Sequence, residues 1–133
     1  MESLTEVIYL AKARESLEGA SSELANRRFN NCANRCYYAC FQGAISALLR
    51  QGIESSRDEQ WTHAFVQAQF AGTLVNSRKL YPASLRDTLP QNLMFRQRAD
   101  YEDQDVTDVQ AQRALRRTRQ FLDAIYSEGG EQL

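Results

Sequence analysis

Residues 31–50 place Ala33, Cys36, Tyr37, Cys40, Phe41, Ala44, Ile45 and Leu48 at steps of three and four, and the flanking Ala39 and Ala47 are small as well. That spacing makes one very wide apolar face on a helix about 30 Å long. A helix apolar around so much of its circumference has to be surrounded by other elements. It predicts a central, buried helix, closed by Gly52. It does not predict a membrane span: the longest nearly apolar stretch, residues 36–49, lies between Arg35 and Arg50 and falls short of the roughly 20 residues a bilayer requires.

What can surround such a helix is other helices. Ala, Leu, Arg and Gln are the commonest residues, whereas Val, Ile and Thr together number 15 of 133, so helix formers far outweigh strand formers. The expected fold is all-α, an up-and-down antiparallel bundle of about five helices in a single domain over residues 1–128, with residues 129–133 a frayed tail.

The pattern of caps and stripes places the other helices. Ser3 and Glu6 have capping-box spacing, and Leu4, Val7, Leu10, Ala13, Leu17, Ala20 and Leu24 then form the stripe of a first helix. Asn26 to Asn31 reads as a turn whose asparagines close one helix and cap the next. Ser56 and Glu59 form a second capping box, opening a third helix with Trp61, Ala64, Phe65, Ala68, Ala71 and Val75 on one side. Pro82 suits the first turn of a fourth helix, and Pro90 is expected to kink or split it, leaving residues 89–101 as the second piece. Thr107 and Gln110 form a third capping box before a last helix lined by Ala111, Ala114, Leu115, Thr118, Phe121, Leu122 and Ile125, which Gly129 and Gly130 end.

Several constellations carry chemistry. Cys32, Cys36 and Cys40 share one helical face and, with His63, the one histidine of the chain, would supply the atoms of a zinc site. A straight helix cannot aim three thiolates at one tetrahedral ion, so the thiols are read as core residues, and neither metal nor cofactor is expected. An odd number of cysteines and an N-terminus without a basic segment followed by an apolar one fit reduced thiols and a cytoplasmic location. Net charge is −1, so any polyanion would have to meet a local patch. Arginine outnumbers lysine 14 to 2, and guanidinium binds phosphate in a two-pronged fashion and stacks on bases. Arg27, Arg28 and Arg35 cluster around the start of the second helix, and Arg113, Arg116, Arg117 and Arg119 give the last helix a basic outer side; both are also ordinary solvated faces. In the segment from Phe95 to Tyr101, Arg96 and Asp100 can pair at i, i+4, and Arg98 lies three residues from Tyr101. This is either a helix-end salt bridge or a compact polar site.

The run Asn31-Cys32-Ala33-Asn34-Arg35-Cys36-Tyr37-Tyr38-Ala39-Cys40-Phe41, followed by Ala47-Leu48-Leu49, resembles the signature of HEPN-domain proteins. So do Thr62-His63 with Phe70, the segment Arg96-Gln97-Arg98-Ala99-Asp100-Tyr101, and the helix from Thr107 to Phe121-Leu122. The resemblance covers nearly the whole chain. It implies a helical bundle that usually forms a homodimer, with a polar groove at or near the two-fold axis. It also implies pairing with a minimal nucleotidyltransferase in a two-component system of toxin–antitoxin type, or a metal-independent ribonuclease activity. The ribonuclease motif of the family, Arg followed by four to six residues and His, is missing here: no His follows Arg96 or Arg98 within six residues. If Tyr101 matches the tyrosine that partner enzymes modify in some members, the His position falls on Ala99 and the Arg position on Met94. The resemblance therefore implies a nucleotide- or RNA-binding regulatory subunit, with Arg35, Arg96 and Arg98 as phosphate contacts and Tyr101 as a stacking or modification site. The alternative is a ribonuclease with a non-standard site built from His63, Arg96 and Asp100. On either reading the group from Arg96 to Tyr101 is expected to line a shared crevice.

Overall fold

A computed structural model describes residues 3–55 and 60–128. Five helices follow one another: α1 over Leu4–Ala25, α2 over Phe29–Arg50, α3 over His63–Gln69, α4 over Thr88–Tyr101 and α5 over Asp108–Glu128. Among the described residues there is no strand. α3 runs on into a π-wound segment, Phe70–Ser77, and one 3-10 turn, Ala83–Leu85, precedes α4.

α2 is the axis of the bundle, with α1, α4 and α5 packed along it. Ala39, Cys40, Ala44, Ala47 and Leu48 are wholly buried, because small residues on every side let three neighbours approach. α5 comes close at Gly43, where a Cβ would stand 2.5 Å from Leu122 Cδ2. Phe121, Leu122, Ile125 and Tyr126 of α5 close the core. Burial of each such side chain stabilises the fold by about 1.5–3 kcal/mol. By contrast the exposed pairs Arg27–Asp108 and Arg28–Glu23, at 3.7 and 3.8 Å, contribute about 0–1 kcal/mol apiece.

Two of the expected caps form. Ser3 Oγ accepts from the Glu6 amide. The Gln110 amide donates to Thr107 Oγ1 while the Thr107 amide donates to Gln110 Oε1, the reciprocal arrangement of a complete capping box. The Ser56 and Glu59 box, the Gly129-Gly130 stop and the tail lie outside the described residues. α3 takes its cap from Thr62, whose Oγ1 accepts from the Phe65 amide.

Other expectations are corrected. Leu4 and Val7 are exposed, and the inward stripe of α1 begins at Glu6 and Leu10 instead. Glu6 turns its carboxylate to Arg50, whose Nε donates to Glu6 Oε1 at 2.9 Å and whose Nη1 donates to the Ile125 carbonyl. One guanidinium thereby ties the start of α1 to the ends of α2 and α5. α2 starts at Phe29 with no side-chain cap, because Arg28 holds the cap position and its side chain has no acceptor; Asn30, inside the first turn, bonds Asp105 and the Val106 amide. α3 and its π-wound continuation bury Val66, Phe70, Leu74 and Val75, while Ala64 and Ala68 face out, because the larger side chains win the core. Pro90 splits nothing: it sits in the first turn of α4, where its missing amide donor has no partner to lose.

Candidate functional site

Tyr37 and Tyr38 leave α2 on the side that meets α3 and α4. Tyr37 is wholly buried, and its hydroxyl is hydrogen-bonded to Nδ1 of His63, the first residue of α3. The His63 ring also lies against Phe41, with centroids 5.0 Å apart. Arg96 of α4 lies over both tyrosines, its guanidinium carbon 5.7 Å from the Tyr37 ring centre and 5.3 Å from that of Tyr38. Arg35, three residues before Tyr38 on α2, lies 5.5 Å from the same Tyr38 ring. Each is a cation–π contact, stronger for Arg96 because its side chain is only 14% accessible.

A polar chain runs beneath these rings. Arg35 donates twice to Asn34 Oδ1, at 3.2 and 2.6 Å. The Asn34 amide donates to Asp100 Oδ2 at 3.0 Å, and Asp100 Oδ2 lies 3.4 Å from Arg96 Nε. Two guanidinium groups thus share one carboxylate and one neutral amide. The formal charge of this group of four is +1, and both cations reach the Tyr38 ring.

The protonation states follow from the surroundings. Burial pushes the Tyr37 hydroxyl up to about 12, so it keeps its proton at neutral pH. Burial, and then the charge of Arg96, hold His63 below its ordinary 6.5, so the imidazole is neutral.

The residues singled out in the sequence divide in space. Arg35, Arg96, Asp100 and His63 come together around the two tyrosines. Arg98 leaves in another direction, 5.7 Å from the Phe95 ring centre, a ring that Arg117 of α5 also covers at 5.4 Å. Arg117 is half-buried and donates to Asn92 Oδ1, so it is not part of the basic outer side expected of α5. Arg96 and Tyr101 do not line one recess: five positions apart, their side chains leave the helix about 140° from each other, and Tyr101 is 76% exposed. Asn34, Tyr37 and Tyr38 are the members that reasoning from chemistry alone missed. The i, i+4 spacing of Asn34 and Tyr38 beside Arg35 was the available signal.

The three cysteines are buried core residues. The Cys32 thiol is pushed well up by its hydrogen bond with Cys36 and then by burial. The Asn92 amide donates to the sulfur of Cys40, and burial raises that thiol to about 12. Among the described residues no group of three His, Cys, Asp or Glu side chains is arranged to hold a metal ion, and no helix is long and apolar enough to cross a membrane.

The UPF0332 protein of Thermotoga maritima is 30% identical to this chain over 122 residues, a span covering 86% of the chain and 83% of that protein. The HEPN domain matches residues 7–129, from the second turn of α1 to just past α5. With its helical bundle built around α2 and a match over nearly its whole length, the chain belongs to the HEPN domain family.

Proposed function

We propose that the chain is a nucleotide- or RNA-binding regulatory subunit, acting in the cytoplasm as a homodimer and paired with a minimal nucleotidyltransferase in a two-component system of toxin–antitoxin type. The observation that carries the reading is the Tyr38 ring with Arg35 and Arg96 both upon it, Arg96 beside the Asp100 carboxylate and Arg35 on the neutral Asn34 amide. Guanidinium groups fixed on an aromatic surface suit phosphate and base contact together. Arg98, beside Phe95 and away from this pair, is a separate phosphate contact. Tyr101, exposed at the end of α4, is open to a modifying partner. The test is to incubate the protein with a minimal nucleotidyltransferase and labelled ATP: the reading expects label on the wild type and none on Tyr101→Phe. Equal labelling of both would remove Tyr101 from the proposal, and failure of the protein to bind single-stranded RNA would remove the rest.

A second reading, a metal-independent ribonuclease, is favoured by the closeness of His63, Tyr37 and Arg96. Against it stands the sequence, in which no His follows Arg96 or Arg98 within six residues to act as the base that attack by a ribose hydroxyl needs. RNA incubated with the protein and a chelator is expected to stay intact. Cleavage that disappears in both His63→Ala and Arg96→Ala would make this the better reading.

A further inference from the structure

Beside the cationic pair a cavity of about 520 Å³ opens between α1, α2 and the start of α3. Its walls are Tyr9, Tyr38 and Trp61, its floor Phe41 and Ile45, and Lys12 stands at its edge. The Tyr9 and Trp61 rings meet edge to face with centroids 6.4 Å apart, and each is half-buried rather than packed away. The volume lies within the about 300–1,000 Å³ range of pockets that take small molecules. Tyr38 belongs both to this cavity and to the cationic group, since its ring carries Arg35 and Arg96.

We infer that this cavity receives one unstacked nucleobase of a single-stranded RNA, with the adjoining phosphate on the Arg35 and Arg96 side of Tyr38. The inference rests on the RNA-binding reading and names the form of nucleic acid it takes. Aromatic walls offer π-faces to any base, and a base can lie against them only when it is splayed out of a helix. The direction of the phosphate follows from the two guanidinium groups at the Tyr38 ring. Arg96 has Asp100 at 3.4 Å as its carboxylate, and Arg35, which also lines a neighbouring trough with Lys12, Glu15 and Glu18, donates to the neutral Asn34 amide. A strand with its base in the cavity against Tyr38 brings its phosphate toward these two groups.

Trp61 is the one tryptophan of the chain, so its fluorescence reports on the cavity directly. The probes are a 12-nucleotide single-stranded RNA, the same RNA annealed to its complement, and inorganic triphosphate. The single strand is expected to change Trp61 emission saturably, the duplex to need at least ~10-fold higher concentration, and triphosphate to leave the emission unchanged. Tyr9→Leu, which keeps an apolar side chain in place, is expected to weaken the single strand by ~10-fold, the loss of one base–aromatic stack; circular dichroism confirms that the variant is folded. RNA anisotropy followed in parallel separates the possible failures. Binding that Arg96→Ala abolishes, with Trp61 and Tyr9→Leu indifferent to it, overturns the cavity and spares the functional reading. Absence of any RNA binding overturns both. Duplex bound as tightly as single strand overturns the inference. So does Trp61 emission that follows protein concentration and ignores RNA, which would assign the cavity to a second copy of the chain.

Discussion

The Arg96 guanidinium lies 5.3 Å from the centre of the Tyr38 ring, joining α4 to α2 at a ring that Arg35 also meets, at 5.5 Å. Most of its charge is answered by Asp100 at 3.4 Å, and that of Arg35 by no carboxylate in the group. Of the two, Arg96 is the buried and fixed cation and Arg35 the exposed one. Replacing Arg35 with Ala is therefore expected to lower RNA affinity with little effect on folding, and to reduce the slope of log affinity against log salt by about 0.7, one phosphate contact on a single strand. Anisotropy titrations at several salt concentrations measure this; an unchanged slope would remove Arg35 from the interface.

His63 gives the fold a pH dependence of known sign. Its folded value lies below the ordinary 6.5, so on acidification the unfolded chain takes up the proton first. Stability is present above 6.5 and falls as the pH drops below it. Thermal melts between about pH 7.5 and about pH 5.5 are expected to show a falling midpoint that is flatter in His63→Gln. Equal slopes in the two proteins would mean that burial and the charge of Arg96 do not hold the imidazole neutral.

Arg50→Ala leaves the Glu6 carboxylate buried without its partner, Glu6 being 3% accessible. The expected cost is about 3–5 kcal/mol, read by urea unfolding. Glu6→Gln together with Arg50→Met is expected to recover much of it, since replacing both charges removes the unpaired one. No recovery would point to the hydrogen bond from Arg50 to the Ile125 carbonyl as the main contribution.

Gly43→Ala forces a methyl group toward Leu122 Cδ2, which stands 2.5 Å from the position of the new Cβ. A destabilisation of about 1–3 kcal/mol is expected from the overpacked contact. Leu122→Ala in the same chain makes room and is expected to lessen the added cost of the alanine, which a double-mutant cycle measures. Strict additivity would mean that α2 and α5 are not in contact at that point.

The periodic signals in the sequence were reliable where one helix face could bury only one set of side chains. Residues 31–50 had nowhere to go but the centre, and Thr107 with Gln110 form their cap because both partners lie within one turn. Where the sequence offered apolar residues on two sides, as between Trp61 and Val75, the choice fell to volume, and Val66, Phe70 and Leu74 displaced the alanines. The π-winding of Phe70–Ser77 leaves no mark in a pattern read at 3.6 residues per turn. The candidate site was legible only within single elements. Arg96 and Asp100 pair at four residues' separation, but His63 on Tyr37 and Arg96 on Tyr38 depend on how separate helices dock. Exposure of Tyr101 away from Arg96 was already implicit in their five-residue spacing.

The central claim is that Arg35 and Arg96, set on Tyr38, form an anion-binding surface for single-stranded RNA. Its most direct test is the equilibrium binding of a labelled single-stranded RNA to wild type and to Arg35→Ala/Arg96→Ala, with folding of the variant established by circular dichroism. Saturable binding by the wild type and a loss of at least ~100-fold in the double variant, two charged contacts at about 1.5–3 kcal/mol each, is the predicted result. Equal affinity in the two proteins would contradict it.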